Sequence, residues 1–408
     1  MITNNSIFPD LRDSISDYRG IQLLEKLKLV SKSSTGVYCI LPLGALIVKR
    51  LEDVIKNKFY ELGCYEVRFP TLMTEKSWKK SKRWESFDSL LKIQDRLYKN
   101  LCLNPTHEET AVETINNILQ SYKDLPITLY CINKVYRDEI RPKYGLLRTK
   151  EFIMADAYSF TIDYDSFLCD YKRLVEIHRS IFNELGLNCI EATADNGDIG
   201  GSTSIEFIYP DYLGESILLG CEKCNHWTTK VGGLQYQKCE ICGEINLIQK
   251  KGIELAHIFQ LNQIYTKKMS VRFLNAANKL EHPFTNCSGI GVTRLLQVLV
   301  EQSFIKNGKI TPSNISPFDV SIYHDASEEN HIYQRGKSLY NKLSTLGYRA
   351  LLDTRKIPER PKLKLADILN CRLNINLIKD SYKVRFDNQE IEIEESDIII
   401  YIQKILSE

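Results

Sequence analysis

Four groups of residues have types and spacings that could do chemistry. The first is the run Tyr136–Phe160, YRDEIRPKYGLLRTKEFIMADAYSF, which crowds Arg137, Arg141, Lys143, Arg148 and Lys150 among Asp138, Glu139, Glu151 and Asp156. Guanidiniums are rigid forks whose N–H groups suit phosphate oxygens, and Phe152 adds a planar ring. On composition alone, a solvated charged hairpin is the plain alternative. The second group is Arg294, which follows Gly289-Ile-Gly291 and opens an apolar helix. The glycines let the chain approach a ligand closely, and the backbone N–H groups of a first helical turn favour anions. The third is Thr106-His107-Glu108-Glu109, in which a hydroxyl and a carboxylate two residues on can face one small cation. The same residues also suit a helix start with an acidic first turn. The fourth is Cys221-x-x-Cys224 with Cys239-x-x-Cys242. Four thiolates so spaced close a tetrahedral structural zinc site with no open position for catalysis; two reduced cysteine turns without metal are the alternative.

These groups need elements to position them. Apolar β-formers flank the first, Ile132 and Val135 before it and Phe152 and Ile153 after it, with Pro142 and Gly145 between. That pattern predicts strand, long loop, strand. Leu46, Ile47, Leu51, Val54, Ile55, Phe59 and Leu62 recur at helical spacing after Gly44, and Gly63 provides a stop before a strand over Tyr65–Phe69. A helix is expected from Thr110 to about Tyr122, and a helical hairpin-like excursion over residues 161–190. Asp195–Phe207 reads as a glycine-rich loop leading into a strand, and Gly252–Met269 as a strand entering a helix or loop. The polar stretch Lys306–Ser316 reads as a linker. Beyond it, strands near Asp319–Tyr323, Tyr348–Leu352 and Asn374–Ile378 alternate with helices near 328–346 and 362–369, which indicates a small mixed α/β domain.

The motifs together resemble those of class II aminoacyl-tRNA synthetases. Arg137-x-Glu139 with Phe152 resembles the second signature motif of that class. The whole run RDEIRPKYGLLRTKEF…DAYSF is similar to the prolyl-tRNA synthetase version. The 44–70 helix and strand resemble the first motif, which builds a dimer interface, and GIGVTRLL resembles the third. The resemblance covers nearly all of the chain. It implies an α+β fold: an antiparallel-sheet catalytic domain over residues 1–305, a linker at 306–316, and an anticodon-binding domain over 317–408. It implies ATP-dependent attachment of L-proline to tRNA(Pro) through a prolyl-adenylate. Arg137 would bind the α-phosphate and the carboxylate, and Glu139 the adenine amino region. Arg148 and Arg294 would bind the β- and γ-phosphates, Gly291 would line the ATP site, and Phe152 would stack on adenine. Thr106 and Glu108 would hold the secondary ammonium, with Asp156, Tyr158, His257, Phe259, Gln260 and Cys287 around the proline. Mg²⁺ would bridge phosphates. No protein nucleophile is needed. Ile205, Ala256, Asn262, Ile264 and Ser288 depart from the family's usual histidine, glycine, glycine, lysine and tyrosine. Lys362 and Cys371-Arg372-Leu373 depart from its glycine and Gly-Ile-Pro turn, which weakens the carry-over of anticodon contacts. A large editing domain is inserted near the cysteine pairs in bacterial-type relatives. Here only residues 225–238 separate the pairs, so the chain resembles the insertion-less subgroup. Two rival readings share the fold: a synthetase of the same subclass for threonine or glycine, and a non-catalytic tRNA-binding paralogue. Retention of Arg137, Arg148 and Arg294 argues against the second.

Bulk properties narrow the setting. With 408 residues and 43% apolar residues the chain can bury sizeable cores. A net charge of +2 supplies no bulk attraction to nucleic acid, so a tRNA surface must come from local patches. Twelve cysteines, several of them isolated in apolar runs, fit a reducing cytoplasm better than a disulfide framework. No run of about 18 apolar residues predicts a membrane span, and MITNNSIFPDLRDSISDYRG resembles neither a secretory signal nor a basic transit peptide.

Overall fold

A computed structural model describes residues 1–2, 7–9, 18–229, 238–324, 330–387 and 389–407. It divides into two compact units. One comprises Met1–Ser33, Tyr38–Leu51 and Leu296–Glu408; the other comprises Ser34–Val37 and Glu52–Leu295.

The second unit is built on a sheet of nine strands among the described residues. Its centre is four long antiparallel strands: β1 (Ile127–Tyr136), β2 (Glu151–Thr161), β3 (Leu247–Asn262) and β4 (Phe284–Gly291), in the spatial order β3-β4-β2-β1. The charged run is thus a strand–loop–strand hairpin, with a short 3₁₀ turn at Gly145–Leu147 inside its loop. Strand alternation puts Phe152, Met154, Asp156 and Tyr158 on one face of β2. The register then builds two rows across the sheet. His257, Gly289, Asp156 and Cys131 form one, and Phe259, Cys287, Tyr158 and Leu129 the other.

Helix α1 (Glu108–Ile118) shares a core with this face, in which Ala111, Val112 and Ile115 join Leu129, Tyr158, Phe160 and Phe259. Helix α2 (Tyr164–Glu184) covers the other face. Asn286, which points that way, donates to the Phe167 carbonyl and to Asp170, each at 3.1 Å. The expected hairpin-like excursion over 161–190 is therefore one unbroken helix. Asp163 caps its start by accepting from the Ser166 N–H at 2.8 Å, and Phe167, Tyr171, Leu174, Ile177, His178 and Ile181 continue one buried stripe with no breaker between them. The strand expected over Tyr65–Phe69 pairs only at Tyr65–Glu66, alongside β1. The helix before it spans Pro42–Glu61, and Gly63 follows at φ +71.

The first unit contains a five-stranded sheet in the order Ala350–Asp353, Val320–Tyr323, Leu373–Leu377, Ser381–Phe386, Gln389–Glu394. The first three strands are parallel and the last two antiparallel. Lys306–Ser316, expected as a linker, is packed within this unit: Ile310, Thr311 and Ile315 are fully buried. The Ile310 N–H donates to the Ile368 carbonyl at 2.9 Å and the Ser316 hydroxyl to the Leu369 carbonyl at 2.8 Å. The apolar residues spaced through KNGKITPSNIS are what anchor it. Lys362 is buried and donates to the His324 carbonyl at 2.7 Å.

Candidate active site

A cleft of about 320 Å³ opens on the α1 side of the nine-stranded sheet. Its floor is the two cross-strand rows. Gly289 keeps the floor low, since a Cβ there would stand 3.3 Å from the Met154 sulfur.

One group of side chains in the cleft is acidic and almost dry. The Thr106 hydroxyl donates to Glu108 Oε1 at 2.9 Å. The Tyr158 hydroxyl donates to Asp156 Oδ2 at 2.7 Å and accepts from the His107 N–H at 2.8 Å. The His107 ring meets the same Asp156 oxygen at 2.8 Å, and the Cys131 thiol donates to Oδ1 at 2.8 Å. Burial disfavours the charged form of His107, but the Asp156 carboxylate outweighs it and raises the imidazole above its usual range. The β2 carboxylate is thus held from three sides, while Glu108 keeps room toward the cleft. Burial drives the Cys287 thiol well above its ordinary range, so it lines the cleft as a small apolar group.

The second group is cationic, with acids behind it. Arg137 lines the cleft, its guanidinium 5.2 Å from the centre of the Phe152 ring. Arg294, in the first turn of helix α3 (Val292–Asn307), donates from Nε to the Leu147 carbonyl at 3.2 Å and reaches Glu254 Oε2 with Nη1 at 3.3 Å. Burial would raise the Glu254 carboxyl, but Arg294, His257 and Arg137 together hold it below its usual range. For its neighbour Glu206, burial and the Glu254 charge outweigh Arg294 and push it up to about 8, so it is mainly protonated at neutral pH. Burial lowers His257 to about 4, leaving a neutral ring stacked 3.8 Å from Phe259. Donor atoms of Glu206, Glu254 and His257 all lie within 4.8 Å of one another.

Thr106, Glu108, Arg137, Phe152, Asp156, Tyr158, His257, Phe259, Cys287, Gly291 and Arg294 all line this one cleft. Glu139, Arg148 and Gln260 do not. Arg148 Nε pairs with Glu139 at 2.8 Å and its Nη1 with Glu215 at 3.0 Å, while Lys143 pairs with the same Glu215. Gln260 Oε1 instead accepts from the Ser202 hydroxyl at 3.2 Å. Sequence reasoning did not single out Glu254, Glu206, Phe87 or Ser89. A charge inside the apolar run IELAHIF was a readable signal for Glu254; nothing local marks the other three. Residues 195–199, in the loop expected before a strand, also line the cleft. Among the departures, Asn262 sits at φ +54, a left-handed conformation that asparagine tolerates better than other non-glycine residues, and its amide donates to Ser202 at 2.9 Å. Ala256 is buried, and Ser288 lines the cleft.

Away from the cleft, the Sγ atoms of Cys221, Cys224, Cys239 and Cys242 all lie within 4.8 Å of one another, with the pairs 221–242 and 224–239 at 3.5 Å. Tetrahedral zinc with Zn–S bonds of about 2.3 Å brings sulfurs about 3.8 Å apart, so the four thiols fit that ion. Residues 230–237, between the pairs, lie outside the described residues.

The comparisons with known proteins agree with this geometry. The family described as tRNA synthetase class II core domain (G, H, P, S and T) matches residues 91–303. The proline–tRNA ligase of Ehrlichia ruminantium (strain Gardel) is 34% identical over 354 residues, covering 83% of each chain. That of Sulfurimonas denitrificans is 34% identical over 363 residues, again covering 83% of each. The crystal structure of Cryptosporidium parvum prolyl-tRNA synthetase complexed with L-proline and AMP shares the fold, with a TM-score of 0.69 at 16% identity over 95% of this chain and 74% of that one. Its complex with halofuginone and AMPPNP gives the same TM-score at 15% identity. Relatives this similar over this much of the sequence, together with the matching class II core, place the chain in the proline–tRNA ligase family of class II aminoacyl-tRNA synthetases.

Proposed function

We propose that the cleft carries out both steps of the proline–tRNA ligase reaction with its own residues in the following roles. In the first step a proline carboxylate oxygen attacks the α-phosphorus of ATP, forming prolyl-adenylate and releasing pyrophosphate. In the second the terminal ribose hydroxyl of tRNA(Pro) attacks the prolyl carbonyl and AMP leaves. Glu108 and Thr106 hold the secondary ammonium, and Tyr158, Phe259 and Cys287 bound the ring. Arg137 reaches both the carboxylate and the α-phosphate. Arg294 binds the γ-phosphate, and Phe152 stacks on adenine. Arg148 turns from Glu215 to the β- and γ-phosphates, a move open to it because its side chain is 43% exposed. Glu139, already beside Arg148, then meets the adenine amino group. Catalysis is positioning and charge neutralisation, with no covalent enzyme intermediate.

The observation that carries this reading is the meeting, in one cleft, of the Thr106–Glu108 pair with Arg137 and Arg294. The test is ATP–pyrophosphate exchange with each amino acid in turn. Proline should stimulate exchange; stimulation by threonine or glycine alone, or by none, overturns the reading. Glu254, and Glu206 on losing its proton, would hold Mg²⁺, a hard cation suited to oxygen donors, and it would offset phosphate charge.

The four cysteines would hold a structural zinc. One zinc per chain is expected, and Cys239→Ser should release it and lower Tm; a metal-free wild type of equal Tm contradicts this. The chain would act as a homodimer through residues 44–70, where Tyr60 and Tyr65 are 79% and 63% exposed. Sedimentation at micromolar concentration should give the dimer mass, and a lone monomer rejects it. Residues 317–408 would read the anticodon. Cytoplasmic residence accords with the free thiols, and among the described residues no helix is long and apolar enough to cross a membrane.

A further inference from the structure

Arg83 lies behind the cleft rather than in it, and no signature motif contains it. It comes just after the helix Glu75–Ser81, where Lys82 adopts a left-handed conformation at φ 66. That turn sends Arg83 inward, and its N–H closes onto the Trp78 carbonyl at 3.1 Å. The side chain is 5% exposed. Its guanidinium carbon lies 5.0, 4.9 and 5.4 Å from the ring centres of Trp78, Phe87 and Tyr265. The Nη1 atom alone bridges two carboxylates, 3.1 Å from Glu108 Oε2 and 3.1 Å from Glu109 Oε1. Glu108 is thereby held at both oxygens, by Thr106 on one and Arg83 on the other.

Charge counting gives this contact a purpose. One guanidinium faces two buried carboxyl groups, and a bound ammonium would supply a second cation. Without Arg83 the two would lie buried side by side with no counter-charge, and Glu108 would lose the donor that orients it. Glu109 is already pushed up by burial, with Arg83 the main group opposing that rise. We propose that Arg83 is the positioning residue of the amino-acid pocket: it holds the Glu108 carboxylate in the orientation that faces the substrate ammonium. This rests on the assignment of Glu108 to the ammonium made above.

The experiment compares wild type, Arg83→Met and Arg83→Lys in ATP–pyrophosphate exchange, with Tm and circular dichroism as fold controls. Wild-type exchange stimulated by proline is the first arm, and its absence defeats the functional reading rather than this one. In folded Arg83→Met the KM for proline should rise about 100-fold, the usual scale for a misplaced binding group, with the KM for ATP unchanged. Arg83→Lys retains the charge and should recover part of the loss. If Arg83→Met does not fold, Arg83→Lys carries the test through its own selective rise in proline KM. A folded Arg83→Met with unchanged proline KM overturns the proposal. So does a parallel rise in both KM values, which marks general loosening.

Discussion

Arg294→Ala should lower proline-dependent ATP–pyrophosphate exchange by about 10²–10³, the usual cost of removing one pre-aimed charge donor. The Arg294 guanidinium is anchored by the Leu147 carbonyl through Nε and by Glu254 Oε2 through Nη1. Its guanidinium is thus already placed before phosphate arrives and needs no reorganisation when charge develops. The fold should survive, because the side chain remains 26% exposed and makes no apolar core. Arg294→Lys restores a point charge but not the fork, so it should recover only part of the rate. The measurement is exchange at saturating ATP with circular dichroism as the control. Undiminished exchange in Arg294→Ala would remove the arginine from the phosphate site. The loss of Arg294 also removes the leading cation that holds Glu254 low, so the Glu254 carboxyl should titrate higher in the variant.

Glu108→Gln should raise the KM for proline with little change in the KM for ATP. The substitution keeps the shape and an oxygen for Thr106 to donate to, removes the charge, and turns an amide NH₂ toward Arg83. Leaving a buried cation without its partner costs about 3–5 kcal/mol, or roughly two to three and a half powers of ten in affinity. The variant also relieves the crowding of two carboxylates on Arg83, which is left to pair with Glu109 alone. Circular dichroism and Tm measured alongside separate a binding defect from a folding one. Steady-state exchange at varied proline and fixed ATP reads the effect. An unchanged proline KM would show that the ammonium sits elsewhere.

Most of the chemistry of the site is local in sequence. Arg137 and Phe152 flank one hairpin loop, Thr106 and Glu108 lie two residues apart, and Arg294 follows a strand end. Motifs this compact survive translation into structure because a strand or a helical turn fixes their relative directions within a few residues. The cysteine pairs are legible for the same reason: each Cys-x-x-Cys turn brings its own two sulfurs together, although only the fold joins one pair to the other. Long apolar periodicity likewise marked the helix Pro42–Glu61. It was misjudged over residues 161–190, where a continuous stripe made one helix of 21 residues, and over Lys306–Ser316, where buried Ile310 and Ile315 outweigh the polar majority.

By itself, then, the sequence determined which elements form and which functional side chains each one carries, since propensity, alternation and short motifs act over a few residues. Only the tertiary structure decided what those side chains meet. The register that aligns Asp156 with Gly289 and His257 depends on pairing strands far apart in the chain. The salt bridges that hold Arg148 to Glu139 and Glu215, and Arg83 to Glu108 and Glu109, choose among many acids of equal sequence merit. Charge pairing is short-ranged and unspecific in sequence, so its partners are settled by where the packed backbone leaves each carboxylate.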